Sequence, residues 1–404
     1  MKTKRLFRED VYQKEGKAKV LKITSERDKK FIILDQTIFF PTGGGQSCDI
    51  GFMDDVEITN VFEKDNEIWH EAPELGSEIK EGQEVSMKID WPRRFDNMQR
   101  HCGEHILSGI FYDICGGVNR GFHMGDQYMT IDISLEDDPN FKTMTPEIIK
   151  EAELRTNQVI WDNLPVITRH FDTRAEAEGL PLRKKLALEE DITIVSVGST
   201  TNPADCVACC GTHPAYAGQV GMVKIYKFEP NKGMYRIYFE AGKRAFEAYR
   251  ARFDVLSQLE KDLSAGFEDL MDKYEKRQAK NQEDKDKLYQ LSKLISSQEV
   301  SSLIEVAKAG EKVVYKKYEV LDIDDLLRIG KDVAEGSDAL VLLHHIKTNT
   351  VLLFSNATPC GAIVKEHAHP LGAKGGGGKN SARAIFTDEH KTHEFVEKIK
   401  EVYA

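Results

Sequence analysis

The sequence predicts a multidomain α+β protein, and three observations carry that prediction. Its 404 residues exceed what one hydrophobic core usually organises. Short β-branched segments parted by turn residues fill the first 85 positions, and helix-period stretches appear after them. The patterning then becomes heptad-like near residue 241 and returns to mixed α/β near residue 300.

Residues 1–85 hold Lys19–Thr24 and Phe31–Leu34 between the turn-formers Pro41–Gly45, Asp65-Asn66 and Pro73–Gly76, and are expected to form a small β-barrel. Residues 86–240 mix both periods. Arg93–Tyr112 places Phe95, Met98, Ile106, Leu107, Ile110 and Phe111 near helical spacing. Tyr128–Ser134 alternates like a strand, Pro146–Leu164 reads as helix, and Ile192–Val197 reads as strand. Over residues 241–299, Leu256, Leu259, Leu263, Phe267, Leu270 and Tyr274 recur at intervals of 3, 4, 4, 3 and 4, which predicts a long helical hairpin or a coiled-coil linker. Residues 300–404 read as a C-terminal α/β domain. Ala339–His345 and Val351–Phe354 form its hairpin, and a glycine-rich turn at Lys374–Lys379 precedes a last helix.

Composition bounds the function classes. Apolar residues make up 40% and charged residues 30%, which excludes a mainly disordered chain. No apolar run is long enough to cross a bilayer, and no apolar stretch follows Met1–Asp10, so a cytoplasmic location is expected. The formal charge of −11 argues against broad nucleic-acid binding. Local basic patches remain at Arg93-Arg94, Arg100, Arg120 and Arg183-Lys184-Lys185. Seven cysteines are an odd number for a disulfide scaffold, and three of them crowd together as Cys206, Cys209 and Cys210.

Two half-sites have metal-ligand spacing. In His101-Cys-Gly-Glu104-His105 the two histidines fall one helical turn apart, so both imidazoles can face one ion. Gly103 between them costs a helix about 1 kcal/mol against alanine. In Cys206-Val-Ala-Cys209-Cys210-Gly-Thr-His213, Gly211 permits a turn that brings a thiol and His213 round one point. Cys206/Cys209, Cys209/His213 and Cys210/His213 all satisfy the spacing. Together the half-sites offer three imidazoles and a thiolate, a donor set suited to Zn2+. The first half-site also fits H-x-x-E-H, the inverted zincin pattern of metallopeptidases with Glu104 as general base.

A third motif, Asp35-Gln-Thr37-Ile-Phe-Phe-Pro-Thr-Gly-Gly-Gly-Gln46, precedes both. The order of D-x-T-x-F-F-P-x-G-G-G-Q, H-x-x-x-H and C-x-G-T-H resembles the editing region of alanyl-tRNA synthetases and the free-standing alanyl-tRNA editing proteins. Length and the loop Gly375–Gly378 resemble the long form of that family, whose C-terminal domain is of the DHH-associated type. The resemblance implies a zinc-dependent editing domain over 86–240 and a zinc site at His101, His105, Cys209 and His213. It implies trans-editing hydrolysis of tRNA(Ala) mischarged with serine or glycine. Thr37 and Gln46 are expected to face the substrate. Glu104 is a candidate base or supporting residue, although it sits about 100° round the helix from His105. A homodimer through the C-terminal helices and domain is also expected. The sequence departs from the family pattern at Cys102-Gly103, Cys210 and Pro214. A contrasting class is a non-catalytic RNA-binding or assembly protein in which zinc only holds the fold.

Overall fold

The computed structural model describes residues 2–135, 143–199 and 201–403. The chain divides into two compact units, residues 1–257 and 258–404.

Beside a short parallel pair, Lys4–Arg5 with Gln36–Thr37, the N-terminal part of the first unit holds β1 (Glu15–Glu26), β2 (Lys29–Leu34), β3 (Gly51–Met53), β4 (Val56–Ile58), β5 (Asn60–Lys64), β6 (Glu67–Glu71) and β7 (Glu84–Ile89). These seven form one antiparallel sheet in the order β4-β3-β7-β1-β2-β6-β5. The long β1 pairs with β7 through residues 15–19 and with β2 through residues 20–26, and a register shift at Val20/Lys22 bends it between the two. Ile32, Leu34, Met53, Ile58, Val61 and Met87 fill the interior. The expected closed barrel is not formed. β4 and β5 stand at opposite ends of the sheet, and no ladder joins them among the described residues. Only Thr59 separates these two strands, so one nearly continuous segment, Val56–Lys64, bends at Thr59 and carries the chain from one end of the sheet to the other, curling it round its interior without a ladder between its edges among the described residues.

Helix α1 (Trp91–Cys115) comes next and positions the site. Asp90 caps it by accepting from the Arg93 amide, Pro92 sits in its first turn, and Gly116 at φ +61° ends it. From Met98 onward it is buried on nearly every side. Strands β8 (Val118–Met124), β9 (Met129–Ser134), β13 (Val223–Asn231) and β14 (Met234–Ala241) form the sheet it packs against, in the order β8-β9-β14-β13, together with α2 (Pro146–Trp161). Gly103 lies where α1 meets this sheet. A Cβ there would sit 2.7 Å from Ala241 Cβ and 3.1 Å from Val223, so its helix cost is offset by close approach. A second antiparallel sheet, β10 (Val166–Thr173), β11 (Glu190–Gly198) and β12 (Pro203–Ala208), delivers the turn 209–213.

Helix α3 (Gly242–Leu263) contains the boundary between the units, and α4 (Leu270–Lys308) follows. The heptad-like stripe is interrupted between them, where Ser264 adopts φ +48° and Phe267–Asp269 form a 3-10 turn. In the second unit a five-stranded mixed sheet, β15 (Val313–Tyr318), β16 (Leu340–His345), β17 (Thr350–Phe354), β18 (Lys374–Gly377) and β19 (Ser381–Ile385), runs in the order β15-β16-β17-β19-β18. Helix α5 (Ile323–Gly336) and the end of α4 cover one face, and α6 (Glu389–Tyr403) covers the other. The glycine-rich segment is not a turn but an exposed edge strand. At Gly375 a side chain would overlap the Arg383 carbonyl of β19, which is why glycine is needed to pair there.

Candidate active site

His101 and His105 project from one face of α1, with ring centroids 5.1 Å apart, and the ring of His213 lies 4.7 Å from each. Cys209 Sγ is 3.4 Å from His101 Nε2 and 3.9 Å from His213 Nε2. The four donor atoms fall within 4.8 Å of one another. Tetrahedral zinc with bonds of 2.0–2.3 Å needs donors roughly 3.3–3.8 Å apart, so the set fits a zinc ion after small adjustment. Cys206 is excluded from the cluster, because it is buried on β12 and bonded by Ser196 Oγ at 3.2 Å. Cys210 is exposed and lies against Gly44.

The ring nitrogens facing away from the cluster set the tautomers. His101 Nδ1 donates to Gln46 Oε1 at 3.0 Å, and His105 Nδ1 donates to Asp205 Oδ2 at 3.1 Å. Both Nε2 atoms are thereby presented to the shared point. Gln46 is fully buried and also grips the turn: its Oε1 accepts from the Thr212 amide at 3.0 Å, and its Nε2 donates to Thr212 Oγ1 at 2.9 Å. Asp205 in turn accepts from Arg183 Nε at 2.6 Å. Burial works to raise the Asp205 pKa, but Arg183 and His105 beside it hold it below the ordinary carboxylate range. Burial likewise opposes ionisation of Cys209, yet the three imidazoles keep its thiol well below the usual range. Burial lowers His213 to about 4, against the pull of Cys209. The result is a buried thiolate among imidazoles, ready for a cation.

The cluster opens into a cavity of about 330 Å3. Arg8, Arg120, Arg183 and Lys184 line it, as do Glu104 and Asn119. Of the sequence-predicted residues, the structure unites His101, His105, Cys209 and His213 and brings Glu104 to the same cavity. The 100° turn round the helix does not remove Glu104, because the cavity wraps that side of α1. Gln46 lies behind His101, with its amide committed to protein partners. Thr37 is not at the cavity. Its buried hydroxyl donates to His70 Nε2 at 2.9 Å and accepts from the Phe39 amide at 3.1 Å. Two of the basic patches are corrected. Arg94 is fully buried on Asp49, and Arg100 is buried on Glu240 at 2.7 Å, so both cations are spent on internal ion pairs. Asp205 was not foreseen. The alternation of β12 carries the signal, since Asp205, Val207 and Cys209 share one face at period two.

Two family models match parts of the chain. The family described as "tRNA synthetases class II (A)" matches residues 7–93, and "Threonyl and Alanyl tRNA synthetase second additional domain" matches residues 192–238. The alanyl-tRNA editing protein AlaX-L of Pyrococcus horikoshii is 28% identical over 395 residues, covering 94% of this chain and 93% of the relative. The chain resembles the AlaX editing proteins along nearly its whole length. The alanine–tRNA ligase of Pyrobaculum arsenaticum is 29% identical over 403 residues, and the chain spans 97% of itself but 43% of that enzyme. For the ligase of Pyrococcus furiosus the figures are 30% over 412 residues, 98% and 43%. Among solved structures, a match to RecJ of Thermus thermophilus covers 29% of this chain and 18% of that one at 15% identity with a TM-score of 0.25. No helix among the described residues is long and apolar enough to cross a membrane.

Proposed function

We propose that this protein, like the AlaX editing proteins it resembles, is a trans-acting aminoacyl-tRNA deacylase. It would hydrolyse the ester of tRNA(Ala) mischarged with serine or glycine at a zinc site made by His101, His105, Cys209 and His213. The observation that carries the reading is the convergence of these four donors, of which His101, His105 and Cys209 stand at the wall of the cavity. Zinc bound there supplies Lewis acidity to the ester carbonyl or lowers the pKa of water. The protein's own groups do the rest. Gln46 fixes the His101 ring and ties it to the turn that carries Cys209 and His213. Asp205 fixes His105. Arg8, Arg120, Arg183 and Lys184 line the cavity; Arg8 and Arg183 are paired with Asp191 and Asp205, and Arg120 and Lys184 are the side chains proposed to meet the phosphates of a tRNA 3′ end, despite the net charge of −11. The homodimer belongs to the same proposal, since Leu288, Leu291 and Leu294 are exposed on α4.

The test is deacylation of Ser-tRNA(Ala) and Gly-tRNA(Ala) by zinc-loaded protein beside His105→Ala. Hydrolysis by the wild type, with loss of about 100-fold or more in the variant, supports the reading. A full complement of four protein donors is also what a structural zinc site shows. Retained zinc with no deacylation would therefore turn the reading to the non-catalytic RNA-binding class. Of the metallopeptidase reading, the structure keeps Glu104 near the site but supplies Cys209 and His213, with no carboxylate in the donor cluster among the described residues.

A further inference from the structure

Glu104 is a buried charge that the protein satisfies on one side only. The residue is 5% exposed and stands on α1 immediately before His105. Its Oε1 accepts from Ser108 Oγ at 2.6 Å and from Asn119 Nδ2 at 2.8 Å, and both donors are neutral. Its Oε2 has no hydrogen-bond partner among the described residues, and it lies 4.0 Å from His105 Nε2 on the wall of the cavity. The neighbouring carboxylates differ. Asp205 is held by Arg183 and His105, and Asp191 is held by Arg8 at 2.8 Å and His170 at 3.1 Å. No lysine or arginine nitrogen lies within ion-pair distance of Glu104 among the described residues. Arg183 and Lys184 on the cavity wall feel the Glu104 charge without pairing with it, and Arg183 is committed to Asp205. The unbonded oxygen faces the cavity, where a hydrogen-bond donor carried in by a ligand can reach it.

We propose that Glu104 Oε2 receives the α-ammonium group of the aminoacyl ester and thereby makes the protein selective for esters with a free, charged amine. The inference rests on the deacylase reading above. In an α-amino ester the ammonium nitrogen stands about 2.5 Å from the carbonyl carbon. An ester whose carbonyl sits at the His/Cys cluster therefore carries its ammonium into the neighbourhood of Glu104. Ser108 and Asn119 hold the other oxygen, which fixes the carboxylate plane and keeps Oε2 turned to the cavity. N-blocked and peptidyl esters lack the charge and leave Oε2 unpaired. The site thus distinguishes a mischarged tRNA from a tRNA that already carries a peptide. Glu104 acts as a specificity determinant here, and its action differs from that of a base that would serve every ester alike.

Two measurements on the zinc-loaded full chain test this. In the first, calorimetry compares 3′-deoxy-3′-(L-serylamino)adenosine with its α-hydroxy isostere, which has the same shape and no charge. The wild type should bind the amine about 10- to 100-fold tighter, the range of one hydrogen bond between charged groups. Glu104→Gln, which keeps the acceptor for Ser108 and Asn119, should reduce that preference to threefold or less, roughly. In the second, hydrolysis of Ser-tRNA(Ala) is compared with hydrolysis of the same tRNA after nitrous acid deamination, each rate divided by the spontaneous rate. Glu104→Gln should lose about 10- to 100-fold more on the amine ester than on the hydroxy ester. Equal losses on both esters, or a wild type that binds both analogues alike, would overturn the proposal. The wild-type comparison decides even if the variant does not fold. A wild type that carries zinc and hydrolyses neither ester sinks the deacylase reading itself, whereas hydrolysis of both without preference sinks this inference alone.

Discussion

Replacing Asp205 by asparagine keeps the shape of a fully buried side chain and removes its charge. Two groups depend on that charge. Arg183, whose side chain is 5% exposed, donates to Asp205 through Nε at 2.6 Å and would be left as an uncompensated buried cation. Breaking such a pair from one side costs about 3–5 kcal/mol, which for a unit of this size lowers Tm by roughly 6–20 °C. His105 donates to Asp205 from Nδ1 at 3.1 Å, and losing that anchor should weaken zinc binding by about 10- to 100-fold. The two effects separate in the double variant Asp205→Asn with Arg183→Met. Removing the stranded cation should recover most of the lost stability without restoring zinc affinity. Thermal denaturation and a zinc–chelator competition read the two quantities. The folded-state pKa of Asp205 lies below its unfolded value, so its contribution is complete at neutral pH. It is lost as pH falls through the folded pKa, and the difference between wild type and Asp205→Asn should shrink there. An unchanged Tm in the single variant, or zinc affinity recovered by the added Arg183→Met, would refute the reasoning.

Three further outcomes are expected. His70 is fully buried and held down to about 4 by desolvation, against the pull of the Ile32 carbonyl; its contribution is therefore whole above its unfolded pKa of about 6.5 and is lost as pH falls towards 4, at a cost of about 3 kcal/mol that denaturant titration should find in the wild type and not in His70→Gln. Gly211→Ala places a methyl group on the His101 ring and on Gln46 Oε1, so zinc affinity should fall by about tenfold or more in a competition assay while the far-UV spectrum stays native. Thr37→Val should slow removal of serine and glycine by the same factor, because its hydroxyl is committed to His70 and Phe39; a loss confined to serine, measured in side-by-side deacylation, would return Thr37 to the substrate.

The sequence was most readable where chemistry is local. The spacing of His101 with His105 and of Cys209 with His213 follows from one helical turn and one tight turn, and neither needs knowledge of the fold. The groups that orient these donors were hidden because they come from afar: Gln46 lies 55 residues from His101, and Asp205 lies 100 residues from His105. Distance also misled the reading of charge. Arg94 and Arg100 look like surface cations until Asp49 and Glu240 arrive from 45 and 140 residues away to bury them. Strand content at the N-terminus was legible from β-branched runs and turn residues. The path of the sheet was not, because it depended on a bend at Thr59 that lets Val56–Lys64 join both ends of the sheet. Gly103 read as a flaw in a helix, and only the contact with Ala241 and Val223 shows why a side chain is unwelcome.

The order of the donors along the chain has a bearing on how the protein comes to hold its metal during synthesis. His101 and His105 emerge from the ribosome on a helix, a hundred or so residues ahead of Cys209 and His213. Until that later turn arrives, the helix offers this site two of its four donors, and Cys102 and Cys115 beside them are turned into the core rather than toward the shared point. Tight capture therefore waits for the last of the four, and with it for the fold of the whole first unit. Loading becomes a reporter of completed folding, and a chain truncated before residue 209 should leave the ribosome empty.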